Sequence, residues 1–165
     1  MLGLIEDLHN CPPRSIVLLH MCAHNPTGVD PSPDQWREII SVVEQRQLFP
    51  LVDAAYQGFV SGDPDIDAAP VRMLVDAGLE MMVACSFAKN FGLYGDRIGA
   101  LHVVTRSDNV AKVSSQLRVI SRSLYSTCPV HGARIVSLIL NDNDRRARWL
   151  GECKGMADRL SSVRR

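Results

Sequence analysis

Short apolar runs alternate with segments of helical period through the first two thirds of the chain, and this alternation constrains the fold more than any other feature. Ser15–His20, SIVLLH, is a compact apolar run of the kind that forms a buried strand. The loop HNPTGVDPSPD follows, dense in Pro, Gly and Asp. Trp36, Ile39, Ile40 and Val43 then recur at helical spacing, which predicts a helix over Pro33–Gln47 with Ser32 as N-cap and Pro33 at its first position. Leu48–Asp53, LFPLVD, reads as a second strand, although Pro50 is at odds with a central position. A short helix over Val71–Ala77 stops at Gly78, and MMVACSF (Met81–Phe87) and IGALHVV (Ile98–Val104) read as a third and a fourth strand. Beyond Ser107 the pattern turns helical, over Asn109–Ser121, Pro129–Leu140 and Asn143–Arg164. Strands and helices in this order predict an α/β domain, a mostly parallel sheet flanked by helices.

In such sheets ligand groups collect just past the carboxyl ends of the strands. Here those ends carry Asn25 after the first strand, Asp53 closing the second, and Ser86 and Lys89 closing the third. Lys89 taken alone reads more readily as a solvated surface lysine. An amine held against an apolar wall beside another cation is instead suited to Schiff-base formation with a carbonyl. Arg97, eight positions on, supplies a cation and also a fork for a phosphate dianion, to which Ser86 adds a hydroxyl. A lysine beside a phosphate cradle points to pyridoxal 5'-phosphate. Asp53 at the end of an apolar strand is costly unless it meets a cation, and a protonated pyridine nitrogen is one. Tyr56 and Asn25 both suit the phenolic oxygen of that ring. The competing readings are a turn cap for Asp53 and a half-buried core aromatic for Tyr56. His20, Cys22 and His24 alternate as on one strand face, which allows a metal site, but no fourth ligand stands at a sensible spacing. Trp36 and Trp149 read as core or interface.

Formal net charge is zero, with no basic patch and no acidic tail, which argues against nucleic acid and anionic membrane as partners. No apolar run approaches the ~18 residues of a membrane span. The N-terminal MLGLIEDLHN carries acids early and does not read as a signal peptide. Cys11, Cys22, Cys85, Cys128 and Cys153 are odd in number and scattered, so a reducing compartment is expected: the cytoplasm, with a mitochondrial form left open.

HNPTG, DAAYQGF, SFAKNFGLYGDRIG and HGARIV, in this order and spacing, resemble the class I pyridoxal-phosphate-dependent aminotransferases, and within them the aspartate aminotransferases. The resemblance implies fold type I, with residues 1–165 as part of the cofactor-binding large domain and the family's N-terminal part and C-terminal small domain outside them. It implies Lys89 as the Schiff-base lysine and Asp53 as the partner of the pyridine nitrogen. Tyr56 and Asn25 fall on the family's ring-oxygen ligands, and Ser86 and Arg97 on its phosphate ligands. Asn25 also falls on a substrate contact, and the Asn25–Pro26 bond is implied to be cis. Arg122 matches the arginine that crosses a homodimer interface to the distal carboxylate of a dicarboxylic amino acid or 2-oxo acid. The implied activity moves the amino group of aspartate to 2-oxoglutarate. Two alternatives stay open from sequence: an aromatic aminotransferase or lyase of the same fold, and a catalytically silent chain that only binds or interacts.

Overall fold

The computed structural model describes residues 1–164. Its elements in chain order are α1 (Leu2–Asn10), β1 (Ile16–His20), α2 (Pro33–Gln45), β2 (Phe49–Ala54), α3 (Pro64–Asp67), α4 (Ala69–Asp76), β3 (Met81–Ser86), β4 (Gly99–Val104), α5 (Val110–Leu124), α6 (His131–Leu140) and α7 (Asn143–Val163). The strands form one sheet in the order β1-β2-β3-β4. β1, β2 and β3 run parallel and β4 returns antiparallel to β3. The expected fold class is therefore observed, with the fourth strand reversed.

Helix α2 starts where its sequence signals place it. Ser32 Oγ accepts the Gln35 N–H at 3.3 Å while Gln35 Oε1 accepts the Ser32 N–H at 2.9 Å, a reciprocal capping box with Pro33 behind it. Trp36, Ile39 and Val43 face the sheet, packing with Leu8 of α1 and with Val17 and Leu19 of β1. A second cluster joins Ile40 to Val52, Leu74, Met81 and Val83. Both clusters lie on one face of the sheet, because strand residues of one parity share a face. Residues of the other parity are less covered, most so on the outer strands: Ile16 and Leu18 are 69% and 63% exposed and Leu101 is 50% exposed.

Several boundaries differ from the sequence expectations. Helix α1 has no counterpart among the expected elements, since MLGLIEDLHN has only Leu4, Ile5 and Leu8 turned to the core. Strand β2 runs to Ala54, and Pro50 sits inside it, paired with Val17 of β1. The β2–β3 ladder begins only at Leu51, so the missing N–H of Pro50 removes no ladder bond. Helix α5 extends past Ser121 to Leu124, which puts Arg122 in its last turn.

At Gly99 the start of β4 lies close against the end of β3. A Cβ there would lie 2.4 Å from the Cys85 carbonyl oxygen, a backbone atom that cannot swing away. Gly99→Ala should therefore destabilise the chain by about 1–3 kcal/mol, as overpacking does. Chemical denaturation checks this; an unchanged midpoint would mean that the two strands part at no cost.

Candidate active site

The parallel strands β1, β2 and β3 end on the same side of the sheet, and the antiparallel β4 begins there. That topology gathers residues distant in sequence. His20, Asp53 and Ala84 are neighbours across the strands, with His20 paired to Asp53 and Asp53 to Ala84. Ser86 pairs with Gly99, and the Phe87 N–H donates to the Ile98 carbonyl at 3.0 Å, so the turn bearing Arg97 sits beside the end of β3. Asp53 and Ser86 share the less covered face.

Asp53 is half-buried, and its carboxylate accepts no hydrogen bond within the described residues. Its backbone carbonyl does accept the Met21 N–H at 2.9 Å, which anchors the exit of β1. The carboxylate charge is felt nearby. Burial first, then the charges of Asp67, Asp30 and Asp53, push the Cys22 thiol up to about 12 from the ordinary 9.0. Burial and Asp53 likewise raise Cys85. A half-buried anion with no internal donor is an energetic cost unless a cationic group meets it.

Lys89 follows β3 in the turn that leads toward Arg97, half-buried, with its Nζ 4.6 Å from the centroid of the Tyr56 ring. That is cation–π distance, and Lys89 forms no ion pair within the described residues. Ser86 Oγ accepts the Ala88 N–H at 3.2 Å, leaving the hydroxyl proton to donate elsewhere. Arg97 is exposed, adopts a left-handed φ of 50° and donates to the Tyr94 carbonyl at 3.1 Å. Helix α6 backs this turn so closely that a Cβ on Gly132 would stand 3.1 Å from Asp96 and from Ile98.

On the β1 side, the Asn25–Pro26 bond is cis. Asp30 shapes the loop, its two oxygens accepting the N–H groups of Ala23 at 2.7 Å and His24 at 2.8 Å. Asn25 is exposed, its N–H reaching His20 Nδ1 at 3.4 Å, and it borders a cleft that Tyr56 also lines. β1 ends at His20 and Ala23 turns left-handed at φ 51°, so His20, Cys22 and His24 do not share a strand face. Cys22 is instead buried in the core.

Arg122 stands apart. It lines a groove with Leu101, Val103 and Leu117, and none of the other six candidate residues borders that groove. Within this chain it has no carboxylate partner among the described residues, and α5 beside it exposes Val119, Ile120 and Leu124.

Two supports escaped the sequence reading. Asp67 is 5% exposed and its carboxylate accepts the N–H groups of Gly58, Val60 and Ser61 at 2.8, 3.2 and 3.0 Å, plus the Ser61 hydroxyl at 2.6 Å. It holds the segment that leaves Tyr56. Asn90, also 5% exposed, ties the Lys89 turn to that same segment through Gln57. The signal for Asp67 was a carboxylate inside DPDIDAAP, where capping by Asp63 is the more obvious role and is also observed.

The profile of the family described as Aminotransferase class I and II matches residues 1–165. Aspartate aminotransferase 1 of Medicago sativa is 52% identical over 163 residues, 98% of this chain and 39% of that protein. The cytoplasmic aspartate aminotransferase of Oryza sativa subsp. japonica is 53% identical over 98% of this chain and 40% of that protein. Among solved structures, an aromatic-amino-acid aminotransferase from Burkholderia pseudomallei, covalently bound to pyridoxal phosphate, superposes with a TM-score of 0.95 at 44% identity, over 98% of this chain and 41% of that one. Other relatives are described as chloroplastic and mitochondrial. The chain thus spans about two fifths of the length of these relatives.

Proposed function

From the premise that this chain belongs to the class I and II aminotransferases, we propose that it forms the cofactor-binding part of an aspartate aminotransferase, converting aspartate and 2-oxoglutarate to oxaloacetate and glutamate. The observation that carries the reading is the half-buried Asp53 carboxylate, without an internal donor, at the strand ends that also present Lys89 against Tyr56. These residues fit pyridoxal 5'-phosphate group by group. Asp53 answers a protonated ring nitrogen, Tyr56 and Asn25 a ring oxygen, and Ser86 and Arg97 a phosphate. When bound, the cofactor supplies an aldehyde for an amine and a ring that withdraws electrons from the substrate Cα.

The chain's own residues do the remaining work. Asp53 keeps the ring nitrogen protonated and so favours loss of the Cα proton. Lys89, as a free amine, would take that proton on its Nζ and deliver it to the carbon that was the aldehyde of the cofactor. Ser86 and Arg97 hold the phosphate so that the reacting atoms stay within reach of the amine. Arg122 binds the distal carboxylate of a dicarboxylic substrate in the partner of a homodimer; its lack of a carboxylate partner among the described residues and the apolar strip on α5 support that placement. Its guanidinium is planar and suited to two-point carboxylate contact. We assign residues 1–165 to part of the large domain and the whole protein to the cytoplasm, with a mitochondrial form left open.

The test is covalent. With pyridoxal 5'-phosphate bound to the full chain, any flanking sequence retained, borohydride should fix the cofactor on the peptide carrying Lys89. A label on Lys112 or Lys154 alone, or none, would sink the assignment.

A further inference from the structure

The position of a lysine amine is only as well defined as the backbone beneath it, since four side-chain bonds rotate freely above. Around Lys89 that backbone is pinned from both sides. Ala88 is buried and bonded to Ser86. On the other side Asn90 makes two long-range bonds. Its Nδ2 donates to the Gln57 carbonyl at 3.2 Å, and its own carbonyl accepts the Trp149 indole N–H at 2.8 Å. Phe91 stacks on Trp149 with ring centroids 4.7 Å apart and planes 15° from parallel.

The first of these bonds has a particular geometry in the chain. Asn90 directly follows Lys89, and Gln57 directly follows Tyr56. One hydrogen bond therefore joins the segment that carries the amine to the segment that carries the ring 4.6 Å from it. The far end of the Tyr56 segment is held by the buried Asp67 carboxylate, so it is a fixed platform. Asn90 Oδ1 is buried and accepts no hydrogen bond among the described residues, so the bonds this residue makes here are the two that tie its neighbours together. Leucine would fill similar space without leaving a buried acceptor.

We infer that Asn90 is a positioning residue, which sets the Lys89 amine against Tyr56 by tying the two segments together, with Trp149 of α7 as its brace. This rests on the reading of Lys89 as the aldehyde-reactive amine. Small displacements at such a centre are costly, since about 1 Å is worth as much as 10²-fold in rate.

The test reads amine reactivity rather than turnover. The cofactor-free full chain is exposed briefly to pyridoxal 5'-phosphate, trapped with borohydride and peptide-mapped, and label at Lys89 is divided by label at Lys112 and Lys154. Wild type should favour Lys89. Asn90→Leu should lower the ratio at least ~10-fold at temperatures well below its melting transition, and Trp149→Phe, which keeps the stack and loses the N–H, should lower it by less. A purely structural role would move the melting temperature and leave the ratio alone. Preferred labelling of Lys89 with an unchanged ratio in Asn90→Leu overturns the positioning role only. If Asn90→Leu does not melt cooperatively, an unchanged ratio in Trp149→Phe overturns it instead. No preference for Lys89 in wild type removes the functional reading, and this inference with it.

Discussion

Asp53→Ala in the full chain should lower turnover by about 10²–10³-fold while leaving the borohydride label on Lys89 in place. The scale is that of removing one preorganised electrostatic partner from a water-poor site. In the proposed role Asp53 acts on the charge that develops at the substrate Cα, so its loss should fall on the proton-transfer step and not on capture of the aldehyde. Asp53→Asn gives a second readout that needs no cofactor. The Asp53 charge helps to raise both Cys22 and Cys85. Neutralising it should lower both thiols, with burial still holding each up, so that alkylation of each becomes faster at a fixed alkaline pH, Cys85 more visibly because Asp53 is the one charge acting there and the smallest of three at Cys22. Unchanged turnover in Asp53→Ala would remove the carboxylate from the chemistry.

Arg122→Ala should cost ~10-fold to ~150-fold in kcat/KM for dicarboxylic substrates, the equivalent of about 1.5–3 kcal/mol for a hydrogen bond to a charged group. Alanine and phenylalanine, which offer no second carboxylate, should be largely spared. That contrast decides between the aspartate reading and the aromatic specificity after which one solved relative is named. Mixing Arg122→Ala subunits with Lys89→Ala subunits should restore activity, because a mixed dimer then contains one site with both residues intact. Loss across all substrates would make Arg122 structural, and failure of the mixing would place it in its own subunit's site.

Much of this site was legible one segment at a time. Asn25, Asp53, Ser86 and Lys89 each stand just past an apolar run, and polar groups in that place need a reason that local chemistry can supply. The capping box at Ser32 and the helix behind it were equally readable, since both depend on residues three or four apart. The α1 helix was not, because its few apolar residues make sense only against the face of α2 and β1 that they pack on.

What the amino-acid order determined by itself was the alternation of strands and helices, which polar residues stand at the strand ends, and the family, all of which reside in short contiguous words. Only the tertiary structure decided that β4 turns back, bringing Arg97 beside Ser86, and that α5 reaches Leu124, setting Arg122 apart on a groove of its own. It alone decided which polar groups are supports: Asp67 under the Tyr56 segment, and Asn90 joining that segment to Lys89 across 33 positions of sequence. The physical reason is range. Periodicity and capping are set by neighbours within a turn, whereas a bond between distant backbones leaves no pattern in either segment, and its donor becomes recognisable only when folding buries it.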